Sequence, residues 1–396
     1  MFTLRPYQKE ASNAAIKAFM TPKGKNGIII LPTGAGKTHV IADVAKRLDT
    51  QMLIFCPSKE ILEQNYKKLV DIGYYDCDVF SASCGRKKIA KVTFATIGSA
   101  FNKMEQFRHF KYVMIDECHD GVNPKGGQME AFLHDVPDRK VIGLTATPYR
   151  LARSFDGGSE LKFLTRTRPR IFADVLYYCQ ISDLLAKGYL ADIDYFDVSG
   201  KISFNINNVK SNSTGADFDD RSLQLEYERS GFAADLVNWT IRVMHPNDGS
   251  KRKCVLVFTK FVKEAHQLVK GLEAKGYPAA VVTGETPKNE RDRILEEFKA
   301  GKIKVVANAA VLVCGFDYPE LDTVILAKPT KSLAQYYQMV GRCIRPHASK
   351  KAAWVIDMCS SYKNFGRVAD LRIECPAGTN KWMVTSKGRQ LTNISF

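Results

Sequence analysis

Residues Pro32-Thr33-Gly34-Ala35-Gly36-Lys37-Thr38 follow the apolar run Gly27-Ile28-Ile29-Ile30-Leu31. A glycine-rich turn between a buried strand and a helix aims successive backbone N–H groups at one point, and the helix start adds a partial positive charge. Such a turn cradles the phosphates of a nucleoside triphosphate. Thr33, Gly34, Ala35 and Gly36 supply the backbone, Lys37 reaches the β- and γ-phosphates, and the Thr38 hydroxyl suits Mg2+. Leu31 stands where the longer loop pattern has a glycine, so this is the compact form G-x-G-K-T. A second group, Asp116-Glu117-Cys118-His119, ends the apolar run Lys111-Tyr112-Val113-Met114-Ile115. Carboxylates at the C-terminal end of a buried strand are where phosphoryl transfer needs a metal ligand and a group that orients water. Asp116 suits the first role, through water, and Glu117 the second. An acidic cap on the next helix is the plainer alternative.

The elements that must carry these groups are legible as alternating segments. Strands are expected at 27–31, 52–56, 92–95, 111–115 and 140–144, with helical patterns between them such as Glu60 to Val70. This alternation predicts a parallel, doubly wound sheet over residues 1–150. It stops near residue 150. Residues 151–230 read as a bridge, with a Gly157-Gly158 turn, the basic run Arg166-Thr167-Arg168-Pro169-Arg170, and a polar stretch from Asn205 to Asp220 that resembles a mobile loop or hairpin tip. The alternation resumes over 231–362, with strands at 254–258, 279–282, 303–307, 323–326 and 354–358 and helices at 261–274, 287–299 and 332–343. Residues 363–396 have weak periodicity and read as a C-terminal tail, of which residues 381–396 are expected to fray. The fold class is α/β, two parallel-sheet units with an inserted bridge or hairpin region.

Composition narrows the partners. A net charge of +16, from 58 basic and 42 acidic residues, favours a polyanion. Ten cysteines are scattered without a C-x-x-C pair, which favours reduced thiols in a cytoplasmic compartment over disulfides or zinc. No apolar run approaches the ~18 residues that span a bilayer, so no membrane partner is expected. The start, Met1-Phe2-Thr3-Leu4-Arg5, has no apolar signal core. The expected setting is the cytoplasm, at a nucleoid or in a host cell if the source is a phage. A monomer is compatible with the sequence, which does not encode an oligomeric state.

The ordered motifs resemble those of superfamily 2 helicases and translocases across nearly the whole chain. The resemblance implies two RecA-like domains that use ATP and Mg2+. In it, Arg5-Pro6-Tyr7-Gln8 matches the adenine-recognition motif, with Gln8 on the base edge and Arg5 beside it. Leu144-Thr145-Ala146-Thr147-Pro148 matches the motif that couples hydrolysis to movement, with His119 as the contact of Thr145 and Thr147. Gln338-Met339-Val340-Gly341-Arg342-Cys343-Ile344-Arg345 matches Q-x-x-G-R-x-x-R. Gln338, Arg342 and Arg345 thereby join Lys37 and Glu117 as catalytic candidates, the arginines as fingers on the γ-phosphate. Gly315 and Asp317 fall in the motif that senses nucleotide and bound strand, which implies Asp317 near the ribose or the finger arginines. The first domain supplies Lys37, Thr38, Asp116 and Glu117 and the second the arginines, so ATP favours a closed state and hydrolysis releases it. The same resemblance places Pro57, Ser58, Thr96, Ser99, Arg150, Lys260, Thr283 and Gly284 at strand ends that grip a phosphate backbone. Asn308-Ala309-Ala310 departs from the family, where a threonine or serine is common.

Arg5-Pro6-Tyr7-Gln8, Cys118 and Gly188-Tyr189-Leu190 resemble the XPB-like and phage UvsW-like branch, which acts on branched or forked DNA. The RNA helicases whose second motif ends in Ala-Asp are less similar. In the DNA branch, Arg166, Arg168 and Arg170 and the polar stretch 205–220 fall where a hairpin or thumb contacts duplex. An exposed linker is the alternative. The implied activity is a DNA-dependent ATPase and helicase of recombination, repair or replication, with an RNA helicase or a restriction-system translocase as alternatives.

Overall fold

The computed structural model is described for residues 3–121, 127–153, 159–213, 217–246, 252–309, 311 and 318–394. The chain divides into two compact units. The first takes residues 1–150, 162–180 and 372–385, and the second takes 151–161, 181–371 and 386–396.

The first unit holds strands β1 (Gly27–Ile30), β2 (Met52–Phe55), β3 (Cys77–Ser81), β4 (Arg86–Lys87), β5 (Val92–Ala95), β6 (Tyr112–Asp116) and β7 (Lys140–Thr145). Its helices are α1 (Pro6–Met20), α2 (Lys37–Leu48), α3 (Lys59–Asp71), α4 (Ile97–Phe101), α5 (Cys118–Gly121) and α6 (Gln128–His134). The chain continues through β8 (Tyr149–Arg153) and β9 (Ser159–Phe163) to β10 (Asp174–Tyr178). One sheet runs in the order β10-β1-β7-β6-β2-β5-β3-β4. Its pairs are parallel except β3 with β4. All four residues of β1 are buried. Burial of Ile28, Ile29 and Ile30 contributes about 1.5–3 kcal/mol each, which fixes the strand that delivers the phosphate loop. Strand order places the ends of β1, β7 and β6 side by side, followed by those of β2 and β5. The ends carrying Lys37, Thr145 and Glu117 are therefore neighbours, and those carrying Ser58 and Thr96 come next on the same edge.

The second unit runs α7 (Ile181–Ala186), β11 (Asp192–Asp197), α8 (Asp220–Ser230), α9 (Phe232–Met244), β12 (Val255–Thr259), α10 (Val262–Glu273), β13 (Ala279–Val282), α11 (Lys288–Lys299), β14 (Val305–Ala309), β15 (Thr323–Ala327), α12 (Leu333–Val340), β16 (Ala352–Asp357) and α13 (Ser361–Phe365). Its sheet has the order β11-β16-β15-β12-β14-β13, all parallel. The last strands of the chain are β17 (Leu371–Glu374), β18 (Met383–Ser386) and β19 (Arg389–Gln390).

Three expectations change. Residues 151–230 are not a separate bridge, because β10 pairs with β1 in the first sheet and β11 pairs with β16 in the second. Helix α8 also starts within the polar stretch, where Asp219 caps it by accepting from the Ser222 N–H at 2.8 Å. Residues 363–394 are not a plain tail, since they hold the end of α13 and three strands, two of them beyond residue 381. Gln180 exchanges two hydrogen bonds with the Ile373 backbone, at 2.8 and 3.0 Å, and the Trp382 indole donates to Asp174 at 3.0 Å. Helix 332–343 ends at Val340, so Arg342 and Arg345 lie in the turns beyond it. The described cysteines are all free thiols. No helix among the described residues is long and apolar enough to cross a membrane.

Candidate active site

In the first unit the phosphate loop has the geometry of a cradle. Gly34 and Gly36 both have φ +81°, in the left-handed region that glycine enters without a Cβ penalty. A Cβ on Gly36 would fall 2.5 Å from Gln8 Nε2. Gly36 is the N-cap of α2, so Lys37 and Thr38 occupy the first positions of a twelve-residue helix, where a helix has no carbonyl of its own to take its N–H groups. Thr33 and Ala35 are buried beneath it. The loop is braced from α1: the Tyr7 hydroxyl and the Gln8 amide both donate to the Ala35 carbonyl, at 2.9 and 2.8 Å. The Gln8 carbonyl oxygen accepts from the Arg5 N–H at 2.9 Å. The glutamine expected on an adenine edge here ties the first helix to the loop.

Lys37 Nζ lies 3.1 Å from Glu117 Oε1. Glu117 has φ +46°, a strained conformation for a residue with a side chain. Asp116 is buried, and burial first, then the Glu117 charge, pushes its carboxyl above the usual aspartate range. Two donors oppose this. The Asn65 amide of α3 donates to Asp116 Oδ2 at 2.7 Å, and the Glu117 N–H donates to Oδ1 at 3.0 Å. Asn65 was not singled out in the sequence; its signal is a polar residue on the buried face of an amphipathic helix. With Thr38 at the helix start and Asp116 held by donors that favour its ionised form, the residues present fit a magnesium nucleotide. Together they can bind a triphosphate and orient water against it.

The next strand end carries Thr145 and Thr147, the residues expected to couple hydrolysis to movement. His119 Nδ1 and Thr145 Oγ1 are 2.8 Å apart, and Thr145 Oγ1 accepts from the Thr147 N–H at 2.9 Å. His119 Nδ1 also lies 3.5 Å from Glu117 Oε2. The helix bearing His119 sits close to the sheet because residue 143 is glycine; a Cβ there would meet Cys118 Sγ at 2.6 Å.

Pro57, Ser58, Thr96 and Ser99 line one groove of about 800 Å3 beyond the ends of β2 and β5. Ser58 caps α3 by accepting from the Ile61 N–H. The groove also holds Lys59, Lys87 and Lys103, which motif reading missed because they belong to no motif, and no carboxylate is among its described lining residues. Arg150 is half-buried, and burial lowers its guanidinium pKa against the pull of Asp120. Arg166, Arg168 and Arg170 are exposed and are not among the residues that line this groove. Their segment crosses the sheet, from Leu164, whose N–H donates to Pro148 O, to Ala173, whose N–H donates to Asn26 O.

In the second unit Gln338 is buried on α12, and Arg342 and Arg345 follow the helix end. Burial lowers the Arg345 guanidinium pKa. The Lys350 ammonium braces this turn by donating to Cys343 O at 2.6 Å and Leu321 O at 2.8 Å, and the Ala191 N–H donates to Ile344 O at 2.8 Å. Lys260 pairs with Asp220 at 2.9 Å. The Thr283 hydroxyl accepts from the Glu285 N–H at 3.2 Å, ahead of an exposed Gly284. Asn308, where the resembled motif commonly has a hydroxyl residue nearby, accepts from the Val311 N–H at 3.0 Å. Gly315 and Asp317 lie outside the described residues.

Two family models match parts of the chain. Residues 1–150 match the family described as type III restriction enzyme, res subunit, and residues 236–347 match the helicase conserved C-terminal domain. A putative ATP-dependent helicase of Saccharomyces cerevisiae, IRC3, is 26% identical over 89% of this chain and 51% of its own length. The DNA 3'-5' translocase XPB2 of Sulfurisphaera tokodaii is 26% identical over 86% of this chain and 78% of its own. The chain thus spans about half the length of the yeast relative. Among solved structures, a fragment of a putative HsdR subunit of a type I restriction enzyme from Vibrio vulnificus shares the fold. Its TM-score is 0.68 at 20% identity, over 93% of this chain and 66% of that one.

Proposed function

We propose that this chain, which belongs to the superfamily 2 helicases, is an ATP-driven motor that unwinds or branch-migrates DNA. The observation that carries the reading is the Lys37–Glu117 pair at 3.1 Å, one strand end from the His119–Thr145 hydrogen bond. Lys37 changes partner when a γ-phosphate arrives, because the phosphate offers more negative charge than a carboxylate. Glu117 is then released to orient the attacking water. Its displacement is felt by His119, and through Thr145 by the Thr147 backbone. Mg2+ held by Thr38 and Asp116 would neutralise charge on the β- and γ-phosphates. Gln8 and Arg5 remain assigned to the nucleotide, with Gln8 also bracing the loop, and Gln338, Arg342 and Arg345 remain the catalytic candidates of the second unit. Pro57, Ser58, Thr96, Ser99 and Arg150, with Lys260, Thr283 and Gly284, hold the phosphate backbone.

DNA is the favoured track because relatives named as DNA translocases and helicases cover most of the chain. Arg166, Arg168 and Arg170 are assigned to duplex beside a fork, outside the groove. A second reading, the translocase part of a restriction system, is favoured by the match of residues 1–150 and by the HsdR fold. ATP turnover with single-stranded DNA, forked DNA and RNA, scored together with strand separation, tests both readings. Stimulation by forked DNA with unwinding is expected. Stimulation by RNA alone would refute the DNA assignment, and DNA-stimulated turnover without strand separation would favour the restriction reading.

A further inference from the structure

The second unit contains a cavity of about 390 Å3 that no motif accounts for. Phe218, Phe365 and Leu391 form its apolar part, and Lys331, Lys363 and Arg389 stand on its rim. The cations come from three separate places: the loop after β15, helix α13 and strand β19. No carboxylate is among the described lining residues. Lys331 donates to the Ser211 hydroxyl at 2.6 Å and its ammonium lies 5.5 Å from the Phe218 ring centre. Arg389 donates to the Asn364 carbonyl. Lys363 lies 3.3 Å from Ser199 Oγ and 3.9 Å from Asp197 Oδ2. Among the described residues, Lys331 and Arg389 therefore rest on neutral oxygens, so an incoming anion displaces no ion pair there.

An apolar floor that includes two aromatic rings, with a cationic rim, suits a ligand that is flat and apolar at one end and anionic at the other. The volume is that of a small-molecule site. In a strongly basic chain whose proposed track is DNA, that ligand is a nucleotide. A base in a duplex is stacked and paired, so only an unpaired nucleotide can present its face. We propose that this cavity receives one unstacked nucleotide of a single strand, its base against Phe218 and Phe365 and its flanking phosphates on Lys331, Lys363 and Arg389.

The position gives such an event a route to the ATPase. Lys331 immediately precedes Ser332, the cap of α12, and the Phe365 ring stacks on Tyr336 of that helix with centres 5.6 Å apart. The far end of α12 leads into Arg342 and Arg345. An occupied cavity and the arginine turn are thus opposite ends of one eight-residue helix.

The site deepens the DNA-motor reading and rests on it. The test measures binding of a fluorescent oligothymidylate and of an equally long abasic oligomer, which keeps the phosphates and lacks the bases. Each is measured at several salt concentrations with the full chain and its Phe218→Ala, Phe218→Tyr and Arg389→Ala variants. The wild type should prefer thymidylate by about fivefold or more, the scale of one base on an aromatic face. Phe218→Ala should lose that preference while binding the abasic oligomer as before, and Phe218→Tyr should keep it. Arg389→Ala should weaken both ligands and lower the salt slope by about 0.7, the loss of one single-strand phosphate contact. Thermal melting of each variant separates loss of the contact from loss of the fold. Wild-type binding with no thymidylate preference, or Phe218→Ala matching the wild type on both ligands, would overturn the site and leave the motor reading intact. No wild-type binding to any oligomer would overturn both.

Discussion

Asn65 offers a demanding test of the metal half of the site, because nothing about it is conspicuous in the sequence. Its amide donates to Asp116 Oδ2 at 2.7 Å inside a buried pocket. A hydrogen bond to a charged group is worth about 1.5–3 kcal/mol. At ~1.4 kcal/mol per tenfold, its loss weakens whatever requires the ionised carboxylate by roughly ten- to a hundredfold. Burial already pushes the Asp116 carboxyl up, and removing a donor pushes it further, so the proton competes better with the metal. Asn65→Leu keeps the volume and deletes the donor. The half-saturating Mg2+ concentration for ATP turnover should rise at least about tenfold. The Mg2+-dependent gain in affinity for a fluorescent ADP should shrink by the same factor, while ADP affinity without metal stays as in the wild type. A half-saturation within about twofold of wild type on both readouts would show that Asn65 does not act through Asp116.

Other outcomes follow from the same geometry. Arg345→Ala should cut nucleic-acid-stimulated turnover by about a thousandfold, the scale of an arginine finger, and near-normal turnover would remove that role. Thr145→Val deletes the hydroxyl that joins His119 to the Thr147 backbone. Turnover should stay within about twofold while strand separation per ATP falls by about fivefold, the effect of one hydrogen bond of ~1 kcal/mol; parallel loss of both would deny a coupling role. Gly143→Ala places a Cβ 2.6 Å from Cys118 Sγ and 2.7 Å from Phe172 Cζ. Overpacking of this kind costs about 1–3 kcal/mol and should lower the melting temperature by several degrees in calorimetry; an unchanged melting temperature would show that the helix can shift away freely.

The motif residues were legible because each sits where a buried parallel strand ends, and such strands are short unbroken apolar runs: Gly27–Ile30, Met52–Phe55, Tyr112–Asp116 and Lys140–Thr145. Edge strands are harder to see. β11, with the sequence Asp-Ile-Asp-Tyr-Phe-Asp, alternates exposed and half-buried residues along its length and lacks such a run. β10 likewise has no fully buried residue. Missing both made residues 151–230 look like a bridge. Helix α8 was hidden by its polar composition, although Leu223 and Tyr227 keep the one-turn spacing of a buried face. Within the site, the sequence carried the identity of Lys37, Asp116 and Glu117. The partners that orient them, Asn65 and the Tyr7–Gln8 brace on Ala35, depend on packing between elements distant in sequence.

The central claim is that strand binding drives hydrolysis at the Lys37–Glu117 centre. ATP turnover of the wild type and of Glu117→Gln, each with and without forked DNA, tests it most directly. Forked DNA should raise wild-type turnover at least about tenfold, and Glu117→Gln should bind ATP yet hydrolyse it about a thousandfold more slowly under both conditions. Wild-type turnover indifferent to DNA, or a Glu117→Gln enzyme as fast as the wild type, would contradict the account.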